Sequence, residues 1–158
     1  ANLVRAISHL KEEGFNLTLD LYGQGNEDKK LLKLISELNL KKEVKLNSKL
    51  KNVQDVYRNY DALILCSTHE AFPNVIIEAM AQKINVISTK IGDELLISPD
   101  KVSIITGYED GDIAIGIKNY INMPKEEKIE LIEKGYSFVQ NKLNGEKIKE
   151  EWNKFLFN

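Results

Sequence analysis

Asp61-Ala62-Leu63-Ile64-Leu65-Cys66-Ser67-Thr68-His69-Glu70-Ala71-Phe72-Pro73-Asn74-Val75-Ile76-Ile77-Glu78-Ala79-Met80-Ala81 is the stretch on which the reading of this chain turns. The apolar run up to Cys66 reads as a buried strand. Ser67 to Phe72 form the turn after it, and Pro73 suits the first turn of a helix, where a missing N–H does no harm. Val75, Ile76, Ile77, Ala79, Met80 and Ala81 cover nearly every side of that helix at about 3.6 residues per turn, so a buried helix is expected. Glu78 then needs a partner, because an unpaired buried carboxylate costs several kcal/mol. A ligand is one candidate; a buried lysine or a backbone group is another. N–H groups near Asn74, Val75 and Ile76 point out of the helix start and attract anions. An anion site next to carboxylates that can grip a diol suggests a nucleotide or nucleotide-sugar.

Strands and helices alternate on both sides of this stretch. Ala1 to Glu13 reads as an amphipathic helix, with Leu3, Val4, Ile7 and Leu10 inward and His9 facing solvent. Asn16 to Tyr22 alternates as a strand does, and Gly23-Gln24-Gly25 ends it. A helix over Asp28 to Leu38, a strand over Val44 to Leu46 and a short helix over Val53 to Tyr60 follow. Beyond the central stretch, strands are expected over Asn85 to Ser88 and Val102 to Ile105. Helices are expected over Asp112 to Asn122, Pro124 to Gln140 and Gly145 to Phe157. This order gives an α/β class: a Rossmann-like parallel sheet with helices on both faces, as one domain over residues 1–158. Ligands bind beyond the carboxyl ends of such strands. Gly23 to Gly25, Asn47 to Lys49, Ser67 to Asn74 and Thr89 to Glu94 all fall there.

Composition narrows the class. The chain has 158 residues, enough for one core, and its 42% hydrophobic and 29% charged content is that of a globular protein. A net charge of -2 gives no general attraction to nucleic acid. No stretch resembles a signal peptide or a membrane span, and a cytoplasmic location is expected. The single cysteine, Cys66, cannot form an internal disulfide and reads as a packed thiol. The chain opens inside a helix, and a preceding strand would complete a βαβ unit, so a fragment of a longer protein is expected.

Glu70 and Glu78 reproduce the E-x7-E pattern of retaining glycosyltransferases with the GT-B fold. Glu70-Ala71-Phe72-Pro73-Asn74-Val75-Ile76-Ile77-Glu78-Ala79-Met80-Ala81 resembles the family-4 wording of that pattern. The spacing alone is unspecific; the wording after an apolar strand is specific. The resemblance runs roughly from Leu3 to Trp152. It implies the C-terminal, donor-binding half of an enzyme that moves a sugar from a nucleotide-diphosphate sugar, UDP-linked by default, to a hydroxyl acceptor with retention. Bacterial surface polysaccharide or another glycoconjugate is the product it suggests.

The resemblance also assigns roles. Glu78 holds the ribose hydroxyls of the donor. Glu70 is the catalytic candidate, acting on the donor sugar by positioning and electrostatics without a covalent intermediate. Phe72, Pro73, Asn74 and Val75 belong to the donor-binding motif, with Gly23 and Gly25 lining the cleft and Lys49 near the base. The nucleotide-sugar is a substrate; no cofactor and no metal are implied. The expected partner is an N-terminal acceptor domain of the same protein. A Gly-Arg and a Lys ahead of this chain would clamp the diphosphate, so the chain alone is expected to be inactive. Peripheral membrane association of the full-length protein is compatible with the resemblance, and nucleic acid is not a partner.

Several positions depart from the family pattern. Ala71 and Asn47 stand where glycine is common, and Lys83 and Asn85 replace a frequent Gly and Pro. The glycine loop is reduced to Gly92-Asp93-Glu94. Plainer roles therefore stay open: Glu70 as a turn residue, Gly23-Gln24-Gly25 as a simple strand-to-helix turn, Lys49 as a solvated lysine, His69 as a surface residue. A noncatalytic nucleotide-binding or interaction module on the same fold is the alternative function. Another GT-B enzyme, such as an epimerase, is a third, against which the central wording argues.

Overall fold

The computed structural model of the chain describes residues 1–23, 25–47, 54–70, 73–90, 98, 100–105, 107–143 and 145. Its elements are α1 (Asn2–Glu12), β1 (Leu19–Tyr22), α2 (Asp28–Glu37), β2 (Val44–Asn47), α3 (Gln54–Tyr57), β3 (Ala62–Leu65), α4 (Asn74–Ala81), β4 (Asn85–Thr89), β5 (Ser103–Ile105), α5 (Asp110–Asn122) and α6 (Lys125–Lys142). β1 pairs with β2 and β3 with β4, both parallel, and β5 follows β4 in a three-stranded order. This is the expected parallel α/β arrangement. The helix expected over Gly145 to Phe157 lies outside the described residues, Gly145 excepted. Two compact units result, Ala1–Val53 with Ile105–Asn122, and Gln54–Ile104 with Met123–Asn158.

Three helices stop by one device. After α1, the Gly14 N–H bonds to Lys11 O (3.0 Å) and the Phe15 N–H to Leu10 O (2.9 Å). The same pair of bonds recurs at Asn39 and Leu40 after α2, and at Lys83 and Ile84 after α4. Such a stop needs one residue in the left-handed region. Gly14 (φ 90°), Asn39 (φ 54°) and Lys83 (φ 57°) fill it. Lysine is the costliest of the three there, which is the physical reason for a glycine at this place in the resembling family. Lys83 gains an ion pair to Glu133 (3.0 Å) and a seat over the Tyr136 ring (4.5 Å to the centroid).

In the first unit α1 buries Val4, Ala6, Ile7 and Leu10 and packs on α5, while Leu3 stays half-buried. His9 is exposed as expected, with Nε2 3.0 Å from Asp110 Oδ2. Two boundaries differ from those expected from sequence. β1 starts only at Leu19, whose N–H bonds to Glu43 O (2.7 Å), because β2 begins at Val44 and residues 16–18 have no strand partner among the described residues. α5 starts at Asp110 rather than Asp112, because Asp112 Oδ2 reaches back to accept the Glu109 N–H (3.3 Å). On α2 only Ile35 is fully buried; Leu31, Leu34 and Leu38 are half-buried.

In the second unit β4 is the buried strand, every residue of it, whereas β3 is half-buried throughout. β4 sits between β3 and β5 and is shielded on both edges; β3 ends that order. α4 packs on β3, β4 and α6 through Ile76, Ala79 and Met80, all at most 2% exposed. The contact with α6 is close at Gly135, where an added Cβ would lie 3.0 Å from Met80 Cγ. Among the described residues, no helix is long and apolar enough to cross a membrane.

Gly135→Val should therefore destabilise the chain by about 1–3 kcal/mol, the usual cost of overfilling a packed contact. Urea denaturation measures it. A valine variant as stable as the parent would show that α4 and α6 are not held at this distance.

Candidate functional site

β3 and β4 run parallel, so their carboxyl ends lie at one edge. There the Thr89 hydroxyl, on the last residue of β4, donates to the Ser67 carbonyl just past β3 (2.7 Å). The Ser67 hydroxyl in turn donates to Glu70 Oε1 (2.8 Å). Thr89 is 1% exposed, while Ser67 and Glu70 are half-buried. A hydrogen bond to a carboxylate is stronger than one between neutral groups. Glu70 is thus not a loose turn residue: one oxygen is held by the strand ends, and the other has no partner among the described residues.

α4 corrects the sequence-based expectation in two ways. Pro73 is the N-cap residue, not the first helical one, and its carbonyl takes the Ile76 N–H (3.0 Å). Only Asn74 and Val75, of the three amides expected to be free, lack a backbone acceptor among the described residues. The helix is also not buried all round. Asn74, Val75 and Glu78 are exposed, at positions i, i+1 and i+4 on one face, opposite the Ile76–Ala79–Met80 side. Glu78 needs no partner on grounds of burial.

It has one nevertheless. The Tyr57 hydroxyl, at the end of α3, donates to the Val75 carbonyl (3.2 Å) and lies 3.5 Å from Glu78 Oε2. One proton serves two acceptors. Tyr57 is only 7% exposed, so its hydroxyl is the polar end of an otherwise apolar contact. Sequence reasoning gave no role to Tyr57, and it placed Ser67 and Thr89 at the strand ends without a partner for either hydroxyl. For Tyr57 a signal existed: a phenol on the buried side of a short helix has to find an acceptor.

The remaining candidates divide. Gly23 ends β1 at φ 151°, a conformation that L side chains rarely adopt, and donates its N–H to Asn47 O (3.4 Å). The Gly25 carbonyl accepts the Asp28 N–H (3.3 Å) at the start of α2, and the space beside both glycines is open. They belong to the first unit, whereas Glu70, Pro73, Asn74, Val75 and Glu78 belong to the second. Lys49, Ala71, Phe72 and the loop over 91–97 lie outside the described residues. Asn47 Nδ2 is buried with no partner among them.

Other reactive groups are accounted for. His69 is exposed. Burial pushes the Cys66 thiol up to about 11, so it is protonated and unreactive near neutrality. The expectation of no metal rested in part on the chain having no Asp-x-Asp, but Asp110-Gly111-Asp112 is one. Asp110 is engaged by His9 and Asp112 by the Glu109 N–H. Among the described residues no three His, Cys, Asp or Glu side chains cluster to hold a metal.

Burial first, and the Glu78 carboxylate beside it, push the Tyr57 phenol from 10.0 up to about 12. A folded value above the unfolded one means stability that is fully present below pH 10 and lost as pH rises through 12. Tyr57→Phe removes that dependence. Urea denaturation across this window should show a shallower loss of stability in the variant; parallel profiles would contradict the placement of the hydroxyl.

Comparison with known proteins gives the family and the fold. The profile of the family "Glycosyl transferases group 1" matches residues 1–138. The GtfA subunit of the UDP-N-acetylglucosamine–peptide N-acetylglucosaminyltransferase of Streptococcus parasanguinis is 23% identical over 98% of this chain and 32% of its own length. The chain thus spans about a third of that relative. Among solved structures, S. aureus TarM in complex with UDP and alpha-GlcNAc-glycerol superposes with a TM-score of 0.84 at 20% identity. It is covered over 32% of its chain, and 99% of this chain takes part. Pneumococcal O-GlcNAc transferase GtfA with UDP and GlcNAc gives 0.82 at 20% identity, over 98% of this chain and 32% of its own. These likenesses establish the fold of one part of a GT-B glycosyltransferase. With that family profile matched over residues 1–138, the chain belongs to the group 1 glycosyl transferases.

Proposed function

We propose that this chain is a single donor-binding domain of a retaining glycosyltransferase, with a UDP-linked sugar as donor. The observation that carries the reading is the exposed face of α4. Asn74, Val75 and Glu78 stand open together at the start of a helix, and Glu70 is tied to the strand ends that precede it. Helix-start amides take the diphosphate and an acidic side chain takes the ribose diol. The compared glycosyltransferases support the base, because TarM and pneumococcal GtfA were each crystallised with UDP.

In this reading Glu78 holds the ribose hydroxyls and Glu70 the donor sugar. The Asn74 and Val75 amides face the diphosphate, with Pro73 ending the turn beside them. Gly23, Gly25, Lys49 and Phe72 complete the donor site as the family resemblance implies. The bond from the anomeric carbon to the diphosphate oxygen breaks. The acceptor oxygen bonds that carbon on the same face, and its proton passes to the departing diphosphate. Hydrogen-bond donors preorganised around a leaving group often supply the greater part of the rate enhancement in such chemistry. No residue of this chain serves as nucleophile. An N-terminal domain would supply the acceptor site and the Arg and Lys of the diphosphate clamp. This chain alone would bind donor weakly and turn nothing over. The full-length enzyme would work in the cytoplasm, at the membrane surface if its product is a surface polysaccharide or other glycoconjugate.

Ligand-observed NMR against UDP, GDP, ADP and their common sugar conjugates tests this. Millimolar binding, about 4 kcal/mol, is the expected scale. UDP and a UDP-sugar should give signals, and Glu78→Ala should weaken both by about tenfold or more with the fold intact. Glu70→Ala should reduce only the preference for UDP-sugar over UDP. A silent panel, or unchanged binding in Glu78→Ala, overturns the reading.

A further inference from the structure

The hydrogen bonds around Glu70 form a directed path out of the core. Thr89 closes β4, the buried strand. Its hydroxyl donates to the Ser67 carbonyl (2.7 Å), which fixes the backbone where the chain leaves β3. The Ser67 hydroxyl donates to Glu70 Oε1 (2.8 Å), three residues further along the turn. A serine hydroxyl has one proton, and here it is spent on the carboxylate. Glu70 is therefore held at one oxygen, and the other has no partner among the described residues. A glutamate on an open turn samples several rotamers, and fixing one before the ligand arrives removes part of the cost of binding.

We infer that Ser67 and Thr89 are the positioning residues of Glu70, and that they set how strongly the site distinguishes a nucleotide-sugar from the bare nucleotide. This rests on the donor-binding reading above. Neither residue is assigned to contact the ligand. Thr89 in particular is 1% exposed and has no surface to offer one. Whatever Thr89 does to sugar recognition, it does through Ser67 and Glu70. A structural role alone would weaken every ligand alike, because loosening the strand ends would disturb the α4 amides and Glu78 as well.

The test compares UDP with UDP-N-acetylglucosamine, each titrated against the full chain and three variants. Thr89→Val keeps the volume and removes the hydroxyl; Ser67→Ala removes the second donor; Ser67→Thr keeps a hydroxyl in its place. Thermal melts confirm that each variant is folded. Ser67→Ala and Thr89→Val should each lower the preference for UDP-N-acetylglucosamine over UDP by about 3–10-fold, the size of one hydrogen bond. The affinity for UDP itself should stay within about twofold, and Ser67→Thr should keep most of the preference. Three-bond couplings across the Glu70 Cα–Cβ bond give a readout without ligand: one rotamer in the parent, averaging in Ser67→Ala. Equal weakening of both ligands, or an unchanged preference, overturns the proposal. A parent chain that binds UDP but shows no preference for the sugar conjugate also overturns it, while leaving the nucleotide part of the donor reading in place. A parent chain that binds neither ligand overturns both.

Discussion

The division of α4 into two unlike faces is the constraint on which the rest of the site depends. Ile76, Ala79 and Met80 are driven under α6 and onto the sheet by the burial of their apolar surface, roughly 2 kcal/mol for each of the larger side chains. That packing fixes the rotation of the helix. Asn74, Val75 and Glu78 then have one direction left, outward, and the Asn74 and Val75 amides have no backbone acceptor among the described residues. An exposed valine at 39% is a small cost for such a face.

Hydroxyl groups refine what packing sets. Tyr57 spans the Val75 carbonyl and Glu78, and Ser67 and Thr89 link Glu70 to the strand ends. Each of the two acidic residues thus has a protein hydroxyl beside one of its oxygens. Both hydroxyl groups come from parts of the chain that are themselves pinned, a buried helix end in one case and the edge of a parallel strand pair in the other. The scaffold orients these carboxylates while leaving Glu78 exposed and Glu70 half-buried.

Much of this was legible in the sequence. The alternation of strands and helices, the parallel class and the place of Glu70 and Glu78 beyond a strand end follow from periodicity and from the wording of the central stretch. The exposure of Glu78 did not follow. Composition alone makes α4 look apolar all round, because Val75 counts as hydrophobic whichever way it points; the packing of Ile76, Ala79 and Met80 on the sheet and α6 decides the rotation. The start of α5 was misplaced because Asp112 was read as the first helical residue when it is the one that reaches back to close the turn. The hydroxyl partners escaped notice because Tyr57 and Thr89 lie 21 and 22 positions from the residues they meet, and no local pattern announces such pairs. Lys83 shows the reverse: its departure from the family's glycine was visible in sequence, and its φ of 57° gives that departure a physical meaning.

In the proposed reading the ligand sits at the carboxyl edge of β3 and β4, with the start of α4. Amide chemical-shift mapping of the chain titrated with UDP tests it most directly. The largest changes are expected at Asn74 and Val75, with smaller ones at Glu70 and Glu78. A competing surface exists in the first unit, a depression lined by Lys11, Ser36, Asn39, Lys41 and Lys42 that could attract phosphate by charge alone. Shifts confined to that lysine-lined depression, with the α4 amides unmoved, would contradict a ligand site at the strand ends.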